Sequence, residues 1–313
     1  MSLRNLNALL RPRALFWLGR AQTPAQQALL AKLQGRPDGV RLEEWGDGIP
    51  KGAAPQEGAL AILVENRFAL PETLEQLAAL GCRALLWPIR EPPDRQVLEA
   101  ARRHTLRILG PRSIGAALGK GLDVSALAQS PLPGSLALIV QSQSIAAAAS
   151  DWAYGRRIGF SWIAVTGGEA DVDVADLLDY AALDPDTQAV AVEVGQIHGA
   201  RKFMSAARAC ARAKPTVILQ TRLSDRSAAG ADPVRSAAFA RAGMVEVADL
   251  PGLFDAIAAL QRLGATEQPR VLVAANGAAL CALSTHALLR QGLSLAEFGE
   301  GPRTALLARL PDA

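Results

Sequence analysis

The chain has 313 residues, 50% of them hydrophobic and 20% charged, with a formal net charge of +3 and a pI near 9.0. That balance argues against general disorder and allows two or three domains with cores of their own. No apolar run reaches the roughly 18 to 20 residues of a membrane span, and neither clustered basic residues nor stacking aromatics suggest a nucleic-acid partner.

Met1 to Arg13 has basic residues but no apolar core or small-residue cleavage site, so a cytoplasmic protein is the expectation. Ala14 to Leu18 is a short apolar run ended by Gly19. Thr23-Pro24 then opens a helix, with Thr23 as N-cap and Pro24 at the first helical position. Ala59 to Val64 reads as a second buried strand, and Pro71 to Leu80 as a helix stopped by Gly81. Ala84 to Trp87, a helix from Arg95 to His104, and Leu106 to Leu109 follow. Uninterrupted apolar strands alternating with helices predict a parallel sheet covered on both faces.

Gln129 to Gly134, with two prolines, reads as a linker. A second alternating series then runs through strands at 135–140, 161–165, 189–194, 216–220 and 244–247. Its helices are expected at 144–155, 174–182, 200–213, 233–242 and 250–263. This is enough for a doubly wound α/β domain. After Thr266 to Pro269 come a strand at 270–275, a helix at 278–291, a short strand near Leu295 and a helix at 303–310. So short a piece is expected to pack on the second domain or on a partner, or to belong to a chain that continues. The boundaries expected are 1–128, 135–264 and 269–313.

Several segments, in this order, carry a family resemblance. They include Leu6-Asn7-Ala8-Leu9-Leu10-Arg11-Pro12, Leu109-Gly110-Pro111-Arg112-Ser113, Gln141-Ser142-Gln143-Ser144 and Asp171 to Tyr180. Ala200 to Arg208 and Ala229-Gly230-Ala231-Asp232-Pro233 continue the series. Together they resemble the NDP-forming acyl-CoA synthetases, the succinyl-CoA ligase α-subunit-like family. The resemblance is nearest to the ligase-like region of Pat-type protein lysine acetyltransferases.

The resemblance implies an α/β chain: a Rossmann-like CoA-binding domain, a flavodoxin-like ligase domain and a truncated third α/β segment. It also implies CoA or an acyl-CoA as ligand and an ATP-grasp subunit or other protein as partner. A homo-oligomer is a further possibility. The family's CoA-phosphate turn corresponds to Leu18 to Pro24, where Gly19, Arg20 and Thr23 are the candidates. Its second glycine is missing here. Ser142, Gln143 and Ser144 are candidates to hold an anion at a helix N-terminus, against a plain capping role.

Active relatives carry a phosphorylated histidine in the loop that here reads Thr221 to Gly230, which contains none. Histidine suits phosphoryl relay because it is partly deprotonated near neutral pH and forms a labile P–N bond. Asp225 stands near the expected position, and His198 is the histidine nearest the expected site. Both are weak substitutes. The glutamate that orients the histidine in relatives falls at Gly195, with Glu193 two residues earlier on the same strand face. Glu193 is read as a displaced substitute or, more simply, a solvated or structural residue. No metal-ligand spacing is present.

The three cysteines, Cys82, Cys210 and Cys281, read as buried small hydrophobes in a reducing compartment. The reading is therefore a non-catalytic synthetase-like protein that binds CoA, an acyl-CoA or a protein partner in a regulatory or scaffolding role. The alternatives are an α subunit working with a separate ATP-grasp subunit, and the N-terminal part of a Pat-type acetyltransferase.

Overall fold

The structure, a computed structural model, describes residues 5–35, 40–221, 233–263, 270–297 and 299–309. The first sheet begins with α1 (Leu6–Leu10), β1 (Ala14–Leu18), α2 (Pro24–Gln34), β2 (Arg41–Trp45) and β3 (Ala59–Leu63). α3 (Pro71–Ala79), β4 (Cys82–Leu86), α4 (Arg95–Arg103) and β5 (Arg107–Leu109) complete it. All five strands run parallel in the order β2-β1-β3-β4-β5. Leu15 and Trp17 of β1 enter one core, while Ala14, Phe16 and Leu18 enter the other. This period-two alternation with both faces buried explains why the strand reads as a continuous apolar run. Thr23 caps α2 in a full capping box with Gln26, and Pro24 sits in the first turn.

The second series contains β6 (Gly115–Leu118), β7 (Asp123–Ser125), β8 (Leu132–Val140), α5 (Gln143–Gly155), β9 (Gly159–Val165) and α6 (Val174–Leu183). It continues with β10 (Ala189–Val194), α7 (Ala200–Ala213), β11 (Thr216–Gln220), α8 (Pro233–Ala242), β12 (Val245–Val247) and α9 (Leu250–Leu263). The sheet order is β12-β11-β10-β8-β9-β6-β7. Its five parallel strands repeat the permutation of the first sheet. β6 and β7 precede the proline-rich segment and add antiparallel strands at the β9 edge.

Three strands differ from the sequence expectation. β2 (Arg-Leu-Glu-Glu-Trp) is an edge strand with a mostly exposed or half-exposed pattern, so it lacks the apolar run of a central strand. β6 and β7 are short and rich in small or polar residues.

One core cluster joins the two sheets, with Trp17, Ile62 and Leu86 from the first and Ile139, Trp162 and Val192 from the second. The outer faces are covered by α3 and α4 on one side and by α5 and α9 on the other. Two buried ionic groups bolt the sheets together. Arg107 at the start of β5 meets Asp171 at 2.9 Å and the buried Asp176 of α6 at 2.7 Å. Lys32 of α2 meets Asp123 of β7 at 2.9 Å and the carbonyls of Ser125 and Leu127.

The chain divides into two compact units, 1–264 and 265–313. The second contains β13 (Arg270–Val271), α10 (Ala278–Arg290), β14 (Ser294–Leu295) and α11 (Glu300–Leu307). β13 is shorter than the expected strand, and α11 starts three residues before the expected Arg303. No residue of α10 is buried. Cys82 and Cys210 are buried as expected, whereas Cys281 on α10 is only partly so. Among the described residues, no helix is long and apolar enough to cross a membrane.

Candidate functional site

In an open α/β sheet, the crevice beyond the carboxyl ends of the strands opens where the strand order reverses. In the second sheet that point lies between β8 and β10. A cleft of about 670 Å³ sits there, lined by the turn from Gln141 to Ile145, by Gly167 and Gly168, and by Glu193, Gln196, His198 and Thr221. Thus Ser142, Gln143, Ser144, Glu193 and His198, singled out from sequence, line one cavity.

The chemistry of this cleft begins with Glu193. It is 1% exposed, so it is not a solvated residue. Its Oε2 accepts from the amides of Gln141 and Ser142, each at 3.0 Å, and its Oε1 accepts from the Thr221 hydroxyl. The two amides at the start of α5 are therefore already engaged by a carboxylate of the chain.

Gln141 closes the neighbouring turn. Its Oε1 accepts from the amides of Gly195 and Gln196 at 2.7 and 3.0 Å, and its Nε2 donates to the Gln196 carbonyl at 2.7 Å. A Cβ at Gly195 would lie 3.0 Å from the Thr221 carbonyl and 3.5 Å from Gln141 Oε1. Gly195 is thus hemmed in by the Gln141 bridge and the Thr221 carbonyl.

Ser142 caps α5 by accepting from the Ile145 amide, and its hydroxyl meets that of Ser144 at 2.9 Å. Gln143 donates to the carbonyl of Arg112, a residue with φ of 57°. Arg112 and His198 are exposed on the cleft wall. His104 stands at the C-cap of α4, away from the cleft, and His286 lies within α10 of the second unit. Asp225 lies outside the described residues.

Beside the cleft, burial pushes the Glu169 carboxyl above its usual range, against hydrogen bonds from Gln141 and Thr166. The aspartates that open the Asp171 to Tyr180 motif serve the helix and the bolt. Asp173 caps α6 in a capping box with Asp176, and Lys202 of α7 bridges both at 3.0 and 2.7 Å. Among the described residues, no group of three or more His, Cys, Asp or Glu side chains is placed to hold a metal.

The equivalent crevice of the first sheet lies between β1 and β3. Gly19, Arg20 and Thr23 are brought together in the turn after β1, where the amides of Gly19, Arg20, Gln22 and Thr23 are all engaged. Gly19 N donates to the Trp45 carbonyl, and Arg20 N donates to Glu65 Oε1 at 2.5 Å. The amides of Gln22 and Thr23 donate to Gln26 Oε1. Glu65 is held in turn by Arg67 at 2.7 Å, and Arg20 reaches Asp47 at 2.9 Å. Gly19 has φ of 108°, and a Cβ there would come within 2.9 Å of Glu65 Cγ. Sequence reasoning missed Glu65. The available signal was its place directly after the β3 run, since parallel neighbours end side by side.

Residues 133–260 match the family described as the succinyl-CoA ligase like flavodoxin domain. The α subunit of ADP-forming acetate–CoA ligase I from Pyrococcus furiosus is 29% identical over 261 residues, covering 77% of this chain and 56% of that protein. The α subunit of acetate–CoA ligase II from the same organism is 24% identical over 279 residues, covering 82% and 60%. The chain therefore spans little more than half the length of these relatives. The apo dinucleotide-forming acetyl-coenzyme A synthetase 1 of Candidatus Korarchaeum cryptofilum superposes with a TM-score of 0.85 at 20% identity, over 98% of this chain and 73% of that one. This last likeness is one of fold. Residues 133–260 thus carry a succinyl-CoA-ligase-like flavodoxin domain, and the chain is similar beyond that domain to α subunits of the NDP-forming acyl-CoA synthetase family.

Proposed function

We propose that the chain is a non-catalytic member of this family that acts by binding, in a regulatory or scaffolding role, rather than by phosphoryl transfer. One observation carries the reading. Thr221 to Gly230, where relatives resembling this chain carry the phosphorylated histidine, has no histidine. The surrounding geometry supports it. Glu193 and Gln141 bind each other's turns across the β8–β10 crevice, so the amides of Gln141 and Ser142 ahead of α5 are no longer free donors. A phosphoryl group arriving there would meet a buried carboxylate where it needs donors. The relatives named as α subunits make a protein partner the natural object of such binding. The cleft walls at Arg112, Gln143 and His198 are exposed to receive a partner or an acyl-CoA.

A second reading rests on His198, which lines the same cleft. In it the chain is an α subunit serving a separate ATP-grasp subunit, with His198 or Asp225 as the phosphoryl acceptor. Radiolabelled ATP, Mg²⁺ and the ATP-grasp subunit of a related synthetase decide between the two. The non-catalytic reading expects no label on this chain and retention of the subunit in a stable complex. Label that disappears in His198→Ala or Asp225→Ala overturns it. Acid lability would mark the former as a P–N bond, and hydroxylamine cleavage the latter as an acyl phosphate.

A further inference from the structure

A CoA phosphate needs free donors and positive potential at the turn after the first strand. In the β1–α2 turn of this chain, four of the five amides from residues 19 to 23 already donate within the chain. The Arg20 amide is held by the Glu65 carboxylate, and the amides of Gln22 and Thr23 are held by the Gln26 side chain. Gln26 is itself anchored to the Val64 carbonyl at 3.1 Å, so the cap and the β3 end form one bonded unit. Gly19 reinforces the arrangement, because the absent Cβ leaves room for Glu65 rather than for an open cradle. The nearest free end of a cation is also committed, with Arg67 on Glu65 and Arg20 on Asp47.

We infer that Glu65 is an internal anion that occupies the β1–α2 turn and excludes a diphosphate from the first sheet. CoA does not fit this turn as it stands, and Glu65 is the residue that sets the exclusion. Like charges placed side by side disfavour binding strongly. The Glu65 side chain remains 15% exposed and is tied to one amide and to a half-exposed arginine. It can therefore be replaced by mutation without opening the core. The inference concerns the first sheet and stands apart from the loss of phosphoryl transfer proposed for the second.

The test follows the backbone amide signals of residues 19–23 by NMR in the full chain, during titration with inorganic pyrophosphate and then with CoA. In the wild type these signals are expected to stay fixed with both ligands. In Glu65→Ala they are expected to move, with an affinity for pyrophosphate at least about tenfold tighter than wild type. Glu65→Gln keeps the side-chain size and an acceptor for Arg20 N while removing the charge, so it carries the test if the alanine variant folds poorly. Movement of the 19–23 amides in the wild type overturns the inference. So does a fixed set of signals in both variants, because Glu65 would then not be what excludes the ligand. Signals from residues 141–144 report the second sheet separately, so failure of either proposal is distinguishable from failure of the other.

Discussion

The two parallel sheets share a strand permutation, and in each a glutamate from the third strand reaches the turn after the first. In the second sheet, Glu193 lies within β10, is 1% exposed and satisfies two amides and a hydroxyl. In the first, Glu65 lies just past β3, keeps a wet edge and holds a single amide. The same device thus serves two ends. One carboxylate has become part of the core, so removing it leaves buried donors without partners. The other closes a turn at the surface, where water can replace it. The difference follows from position relative to the strand end: Glu193 lies one residue before the end of β10, and Glu65 two residues past the end of β3.

The comparison is broken most severely by cutting the bolt that joins the sheets. Asp176 is 1% exposed and Arg107 13%. Asp176→Ala removes the buried carboxylate shared by Arg107 and Lys202, which keep Asp171 and Asp173 as partners, and a loss of about 3 kcal/mol is expected in urea unfolding. The pH dependence has a defined sign. Burial pushes the Asp176 carboxyl up, and this outweighs the opposing pull of Lys202 and Arg107. The folded state therefore holds this proton more tightly than the unfolded chain. The contribution is fully present below the ordinary aspartate value of about 3.9 and is lost as pH rises through the folded value. Relative to Asp176→Asn, the wild type should gain stability as pH falls through that window. A gap between the two that stays constant with pH would contradict the burial argument.

Next in size is Glu193. Glu193→Ala leaves the amides of Gln141 and Ser142 facing a cavity, and a loss of about 2–3 kcal/mol is expected. Glu193→Gln can aim its oxygen at the two amides and its NH₂ at Thr221, so its loss should be about 1 kcal/mol. Equal losses would show that the charge, rather than the satisfied donors, holds the turn.

Much of this architecture was legible from residue pattern. Strands buried on both faces, such as 59–63 and 136–140, announce themselves as apolar runs, and Thr23-Pro24 marks its helix start by capping chemistry. β2 escaped because a strand at the sheet edge tolerates Glu43 and Glu44. β6 and β7 escaped because strands of four and three residues hold too few side chains to show a period. The cleft was half legible. Ser142, Ser144 and His198 could be placed at strand ends, but the Gln141 bridge and the Glu65 contact depend on which strands are neighbours. Glu65 and Arg20 are separated by 45 positions and meet only because β1 pairs with β3.

Glu65 itself should matter less to stability than Glu193. Glu65→Ala removes one charge-assisted hydrogen bond and a partly exposed ion pair, and a loss of about 1 kcal/mol is expected. A loss equal to that of Glu193→Ala would place Glu65 in the core, against its reading as a surface occupant of the turn. Urea midpoints of the two alanine variants, compared at equal slope, give this result directly.

The smallest effect is expected at Arg20. Its guanidinium and the Asp47 carboxylate are 70% and 78% exposed, so their contact at 2.9 Å lies in water and is screened by salt. Arg20→Ala should change stability by no more than about 0.5 kcal/mol. The backbone amide of residue 20 still donates to Glu65 in that variant, so the closed turn should survive. The 19–23 amides should then remain as indifferent to pyrophosphate as in the wild type. If Arg20→Ala instead destabilises the chain more than Glu65→Ala does, the turn is held shut by the Arg20–Asp47 pair across its mouth. The parallel between the two glutamates would then be one of position alone.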